Sequence, residues 1–194
     1  MKIALPSEGL PESGAVLSSV GILDFMSRGG IQIPLYDEKA LGFSGYRLQP
    51  GALWEPTEAG PKLMADLRRV PSFAFRPHEY LIVTPLQDVV LGNGLIGTVS
   101  EFELAQRCFG LVAGKVDPGY GRIGGRRQSL IFGIVNQLAV PNRLNAHEFF
   151  AELTFTFLGS SGASQAEQWS PEDRLALRAR ERYQRAYDDG PSYE

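Results

Sequence analysis

Apolar residues in this chain fall in short segments separated by Gly, Pro and polar turns, a punctuation that predicts many short strands rather than a helical bundle. Ser72-Phe73-Ala74-Phe75-Arg76 alternates. Tyr80-Leu81-Ile82-Val83-Thr84 is a continuous run of the buried type. Gly97-Thr98-Val99 follows a Gly-Asn-Gly turn at 92–94, and Ser129 to Val135 reads as another strand. Phe149 to Leu158 puts Phe149, Ala151, Leu153, Phe155 and Phe157 on one face. Ile31-Gln32-Ile33 starts a strand that Pro34 ends. Near the start, Val16 to Ser27 predicts a short helix with Val16, Val20 and Leu23 on one face, stopped by Gly29-Gly30. Residues 51–71, rich in Pro, Gly and charge, predict a loop with a turn of helix at Leu63 to Arg69.

The tail changes character. Gly159 to Gln168 is a Gly/Ser/Ala/Gln linker. Ser170-Pro171-Glu172-Asp173 then has the marks of a helix start: a Ser cap, Pro in the first turn and acids against the dipole. The helix is expected to run to about Tyr187 and to end at Asp188-Asp189-Gly190-Pro191. The pattern gives a β domain over 1–158 and a linker plus C-terminal helix over 159–194, the helix lying on the body or on a neighbouring subunit.

Composition narrows the function classes. A chain of 194 residues with 43% hydrophobic content can bury one proper core. A net charge of −3 gives no general polyanion-binding signal, so nucleic acid is not an expected partner. No apolar run approaches the ~18 residues a membrane helix needs, and Met1 to Pro6 lacks the apolar core of a signal peptide. A cytoplasmic location is the expectation. The lone Cys108 excludes an intrachain disulfide and a Cys-based zinc cage. His78 and His147 are far apart and read as loop histidines, so no zinc is expected.

Three constellations could carry chemistry. In Val116-Asp117-Pro118-Gly119-Tyr120, the aspartate could orient a water or accept a sugar hydroxyl; Asp-Pro-Gly is also ordinary turn chemistry. The basic tip that follows, with Arg122, Arg126, Arg127 and Gln128 among glycines, suits phosphate, because arginine forks and exposed backbone amides both hold oxyanions. It would equally make a solvated hairpin end. Glu101, Glu103 and Arg107 could do acid–base work, or form a short surface helix with an i,i+4 Glu103–Arg107 pair.

Taken in order, several segments resemble the dCTP deaminase branch of the dUTPase superfamily. They are Gly30-Ile31-Gln32-Ile33-Pro34-Leu35-Tyr36-Asp37; Ser44, Tyr46, Leu48 and Gly51 of a Ser-Tyr-Asp-Leu-Arg-Leu-Gly segment; Phe75 to Thr84; and Val116 to Tyr120. Asn136, Leu144, Glu148 and Leu153 follow in the expected order, then Arg182-Tyr183-Gln184 and Gly190-Pro191-Ser192. The resemblance runs over residues 20–194.

It implies a mostly β fold, a β-clip or dUTPase-like distorted barrel with a short N-terminal helix and a C-terminal helix. It implies a homotrimer with deoxynucleoside triphosphate sites between subunits, and Mg2+ carried on the nucleotide phosphates without zinc. It places Asp117 at the sugar; the residues themselves make Tyr120, Arg122, Arg126, Arg127 and Gln128 the ligand-binding candidates and Glu103 and Arg107, with Asp117, the catalytic ones. The chain also departs from the pattern. Arg47 replaces the family's Asp and Gln49 its Arg. Ser100-Glu101-Phe102-Glu103 stands where an Arg-Ser-Ser phosphate motif belongs, and the deaminase carboxylate falls at Gly133. Two readings follow: a divergent nucleotide-binding or nucleotide-hydrolysing trimer, or an inactive relative kept as a scaffold, binding module or regulator. A true dCTP deaminase would need Glu101 or Glu103 as its general base.

Overall fold

The structure, a computed structural model, describes residues 10–92, 94–117, 120 and 129–159. The expected C-terminal helix, most of the linker before it, and Arg122, Arg126, Arg127 and Gln128 lie outside the described residues.

Every strand pairing is antiparallel. β1 (Ile31–Gln32) pairs with β7 (Val90–Leu91), and β5 (Ser72–Phe75) with β12 (Asn142–Asn145). A four-stranded sheet runs β10 (Lys115–Val116), β8 (Leu95–Glu101), β13 (Ala151–Phe157), β2 (Gly45–Leu48). A five-stranded sheet runs β4 (Gly60–Asp66), β3 (Pro50–Thr57), β6 (Tyr80–Pro85), β11 (Phe132–Asn136), β9 (Phe109–Val112). Among the described residues the fold is mostly β with one short α-helix, as the punctuation predicts.

One core joins the sheets. Ala151, Leu153, Phe155 and Phe157 alternate inward along β13 and meet Tyr46 and Leu48 of β2, Leu53 of β3, Leu81 and Val83 of β6, and Phe132 and Ile134 of β11. Each buried Leu, Val, Ile or Phe among them contributes about 1.5–3 kcal/mol. The five-stranded sheet is apolar on its second face too. There Ala52 and Trp54 pack with Leu63, Ile82 and Ile131, while Tyr80 and Val112 stay exposed.

Two local expectations are corrected. The helix α1 is Ser19–Ser27, and it buries Ile22 and Phe25 rather than Val16 and Val20, which are exposed. The Ser18 hydroxyl accepts from the Gly21 amide and caps the helix. Residues before it are therefore extended: Val16 bridges Thr156, and the Leu17 amide donates to Phe155. Residues 51–71 fold chiefly as the β3–β4 hairpin, entering β4 at Gly60 with φ +121°, and the expected helical turn comes only after β4, where the Asp66 carbonyl accepts from the amides of Arg69 (2.9 Å) and Val70 (3.1 Å). The prolines that suggest a loop sit where a missing amide costs little. Pro56 lies beyond the stretch of β3 paired with β6, and its partner Pro61 is on the edge strand β4.

Candidate functional site

The Asp117 corner is built by a glycine. A Cβ on Gly97 would come within 2.8 Å of Leu153 Cδ1 and 3.0 Å of Val116 Cβ, so only glycine lets β10 lie this close to β8. Val116 is thereby buried and Asp117 emerges exposed at the strand end. The Tyr120 amide donates to the Asp117 carbonyl (3.1 Å), and its own carbonyl accepts from Leu91 (3.0 Å). The Tyr120 hydroxyl donates to the Ser129 carbonyl (2.7 Å). Tyr120 thus clasps the neck of the loop, leaving the Asp117 carboxylate facing solvent.

Glu103 and Arg107 lie beyond the other end of β8, whose last residue Glu101 is already about 13 Å along the strand from Gly97 at the usual rise per residue. Within one chain the structure does not bring them to Asp117. Nor does it form the Glu103–Arg107 pair. Glu103 adopts φ +57°, and Ala105–Arg107 is a 3-10 turn, so the i,i+4 spacing of an α-helix is absent. The Arg107 guanidinium pairs with Glu148 instead. Asn142 Nδ2 donates to the Arg107 carbonyl (2.6 Å), and Asn145 Nδ2 donates to Glu148 (2.6 Å). Arg107 is therefore tied to β12 and the turn after it.

The other family-ordered positions are occupied by packing. Asn136 is fully buried; its amide donates to the Arg76 and Val140 carbonyls (2.8 and 2.9 Å), and its oxygen accepts from Leu138 (3.1 Å). Gly133 lies on the outer face of β11, diagonal to Tyr80 of β6. A Cβ there would sit 2.5 Å from Tyr80 Oη and 2.7 Å from Cε2. The ring of Tyr80 fills the space that any side chain at Gly133 would need.

Sequence reasoning assigns Arg47 no role. Arg47 lies between buried Tyr46 and Leu48 on β2, so its side chain points away from the core, with its guanidinium 4.4 Å over the Phe102 ring. Its replacement of the family's Asp is the only sequence signal for it. Among the described residues no cluster of three or more His, Cys, Asp or Glu could cage a metal.

No protein-family model matches the sequence, and no curated protein matches it. Solved structures do. The chain is similar to the 2'-deoxycytidine 5'-triphosphate deaminase of Agrobacterium tumefaciens, with a TM-score of 0.57 at 12% identity. The likeness is one of fold, a mostly β, dUTPase-like architecture. The match covers 75% of this chain and half of the deaminase. Lower in similarity are dUTPases from phages. A dUTPase of Staphylococcus bacteriophage 80alpha, solved with dUpNHpp, is 14% identical (72% of this chain, 89% of that chain, TM-score 0.45). The phage phi11 dUTPase of S. aureus, whose structure describes a structural Mg(II) ion, is also 14% identical (72% and 98%, TM-score 0.45).

Proposed function

We propose that the protein binds a deoxynucleoside triphosphate between subunits of a homotrimer, with Asp117 at the deoxyribose, and that it does not deaminate. The observation that carries this reading is the Asp117 corner: a solvent-facing carboxylate on a turn clasped by Tyr120 and built on Gly97. Asp117 and the Glu103–Arg107 segment leave opposite ends of β8, so a pocket containing both needs a second copy. The apolar outer face of the five-stranded sheet, with exposed Val112 and Tyr80, is surface such an assembly would cover. Magnesium would arrive on the phosphates, as it commonly does where a protein offers no carboxylate cage.

Against deamination stands Gly133, which offers no proton carrier and lies under Tyr80. Hydrolysis asks less of the site. A water held by Asp117 attacks the α-phosphorus, the bond to the bridging oxygen breaks, and monophosphate and pyrophosphate leave. The second reading, an inactive nucleotide-binding scaffold, is favoured by Glu101 and Glu103, whose like charge opposes a triphosphate.

The purified protein, with magnesium and dCTP or dUTP, is followed for ammonia, pyrophosphate and thermal shift. Pyrophosphate without ammonia, lost in Asp117→Ala, is the expected result. A ligand at a hundred times its Kd stabilises by about 2.7 kcal/mol, so binding without turnover would still register and leave the scaffold reading. Ammonia release, or an Asp117→Ala protein that behaves as wild type, overturns the proposal.

A further inference from the structure

The guanidinium of Arg47 makes no hydrogen bond and no ion pair among the described residues, and its Nε is buried without an acceptor. A buried, unsatisfied donor is costly, and arginine carries five donors in a rigid fork. The obvious partner is Glu152, its cross-strand neighbour on β13. Glu152 reaches the same glycine as Arg47 but forms no ion pair with it: a Cβ at Gly42 would lie 3.8 Å from Arg47 Nε. A Cβ at Gly45 would lie 2.8 Å from Glu152 Cγ, and one at Gly42 would lie 2.7 Å from Oε1. The carboxylate therefore lies down on a platform of two glycines. Arg47 stacks instead on Phe102, whose ring is held edge-on by Phe149 (6.4 Å, 81°). Stacking fixes the plane of the fork before any ligand arrives.

Phe102 belongs to Ser100-Glu101-Phe102-Glu103, the segment with acids where a phosphate motif is expected. The register also puts the side chain of Ser100 in one row with Glu152 and Arg47 across β8, β13 and β2, on the face away from the core. We propose that Arg47, levelled on Phe102, is the cation of an oxyanion subsite that takes a phosphoryl group. The charge lost ahead of Leu104 is thus supplied from β2, two strands across the sheet from β8. The proposal rests on the nucleotide reading for its physiological ligand, but not for its chemistry. Glu152, Glu101 and Glu103 are the adverse charges around it. The subsite therefore prefers a phosphate that carries magnesium.

The test uses the full chain and inorganic tripolyphosphate, titrated calorimetrically with and without magnesium. Wild type is expected to bind, more tightly with magnesium. Arg47→Gln should bind at least tenfold more weakly, about 1.4 kcal/mol. Arg47→Lys should recover only part of that, because the ammonium lacks the fork. Glu152→Gln should bind metal-free tripolyphosphate more tightly than wild type. No binding by wild type, or Arg47→Gln binding within twofold of it, overturns the subsite. So does an Arg47→Gln protein with a lowered melting temperature and unchanged affinity, which would make the arginine a packing residue over Phe102. The two proposals separate cleanly. Tripolyphosphate bound through Arg47, with no deoxynucleotide bound more tightly, sinks the nucleotide reading and keeps the subsite. Nucleotides bound equally by wild type and Arg47→Gln do the reverse.

Discussion

Replacing Gly133 with alanine should reverse its effect on stability when Tyr80 is removed. Gly133 does not have a left-handed backbone, so alanine can adopt its conformation without strain. Alanine also gains about 0.4–1 kcal/mol over glycine by restricting the unfolded chain. Against that stands the ring: the new Cβ meets Tyr80 at 2.5, 2.7 and 2.9 Å, where ordinary contact begins at 3.4 Å. Tyr80 is 43% exposed, so it can swing out rather than force the sheet apart. Uncovering about 50 Å² of ring and sheet costs ~1.2 kcal/mol at the usual 25 cal/mol per Å², and residual overpacking adds about 1 kcal/mol. Gly133→Ala should therefore lose about 1.5 kcal/mol in wild type and gain about 0.4–1 kcal/mol in a Tyr80→Ala background. Urea unfolding of the four proteins gives the coupling, expected to be about 2 kcal/mol. Additivity within about 0.4 kcal/mol would refute the claim that Tyr80 occupies the space above Gly133. The functional counterpart is Gly133→Glu, which should release no ammonia from dCTP because the ring stands in its way.

Glu103 is exposed, with φ +57° and no ion pair among the described residues. Glu103→Gly should leave stability unchanged or raise it by about 0.5 kcal/mol, since glycine escapes the left-handed penalty of about 1–2 kcal/mol at some entropic cost; a loss above about 1 kcal/mol in chemical denaturation would show that its side chain is anchored. Burial raises the pKa values of Tyr46 and Tyr36 above the ordinary 10.0, with nearby acids adding to the shift at Tyr36. Their stabilising contribution is complete below that value and is lost as pH climbs from there towards the raised values. Tyr46→Phe, which removes the acceptor for the Asp37 amide (2.8 Å), should be about 1 kcal/mol less stable at neutral pH. Its stability should fall less steeply above pH 10 than that of wild type, and an identical alkaline slope in urea titrations would count against the assignment.

Much of this architecture is legible in the sequence because strand burial repeats every second residue. The row Ala151, Leu153, Phe155, Phe157 needs no partner to be recognised. The β3–β4 hairpin escapes for a physical reason: Pro56 and Pro61 look like loop punctuation until one knows that one is past the shared ladder and the other on an edge. The face of α1 escapes because Ile22 and Phe25 are as apolar as Val20 and Leu23, so spacing alone does not say which stripe turns to the core. For the site, ordered motifs place Asp117 and flag the loss at Gly133. They cannot say that Tyr80 lies over Gly133, or that Arg47 rests on Phe102, because those are contacts between strands distant along the chain.

That distance bears on how the molecule comes together during synthesis. β13, last of the described strands to leave the ribosome, is an inner strand of its sheet, with β8 on one side and β2 on the other. Until it emerges, β2 has no neighbour in that sheet, and the core rows of Tyr46, Leu48 and Val99 have nothing to close on. Pairings that span about a hundred residues carry a large loop-closure cost and fold slowly. The nascent chain therefore passes most of its translation with open strand edges and uncovered aromatics, a state prone to aggregate. Ribosome-stalled chains that end before Ala151 should be bound by chaperones and cut readily by proteases, and protection should appear abruptly, not gradually, once Phe157 has cleared the exit tunnel.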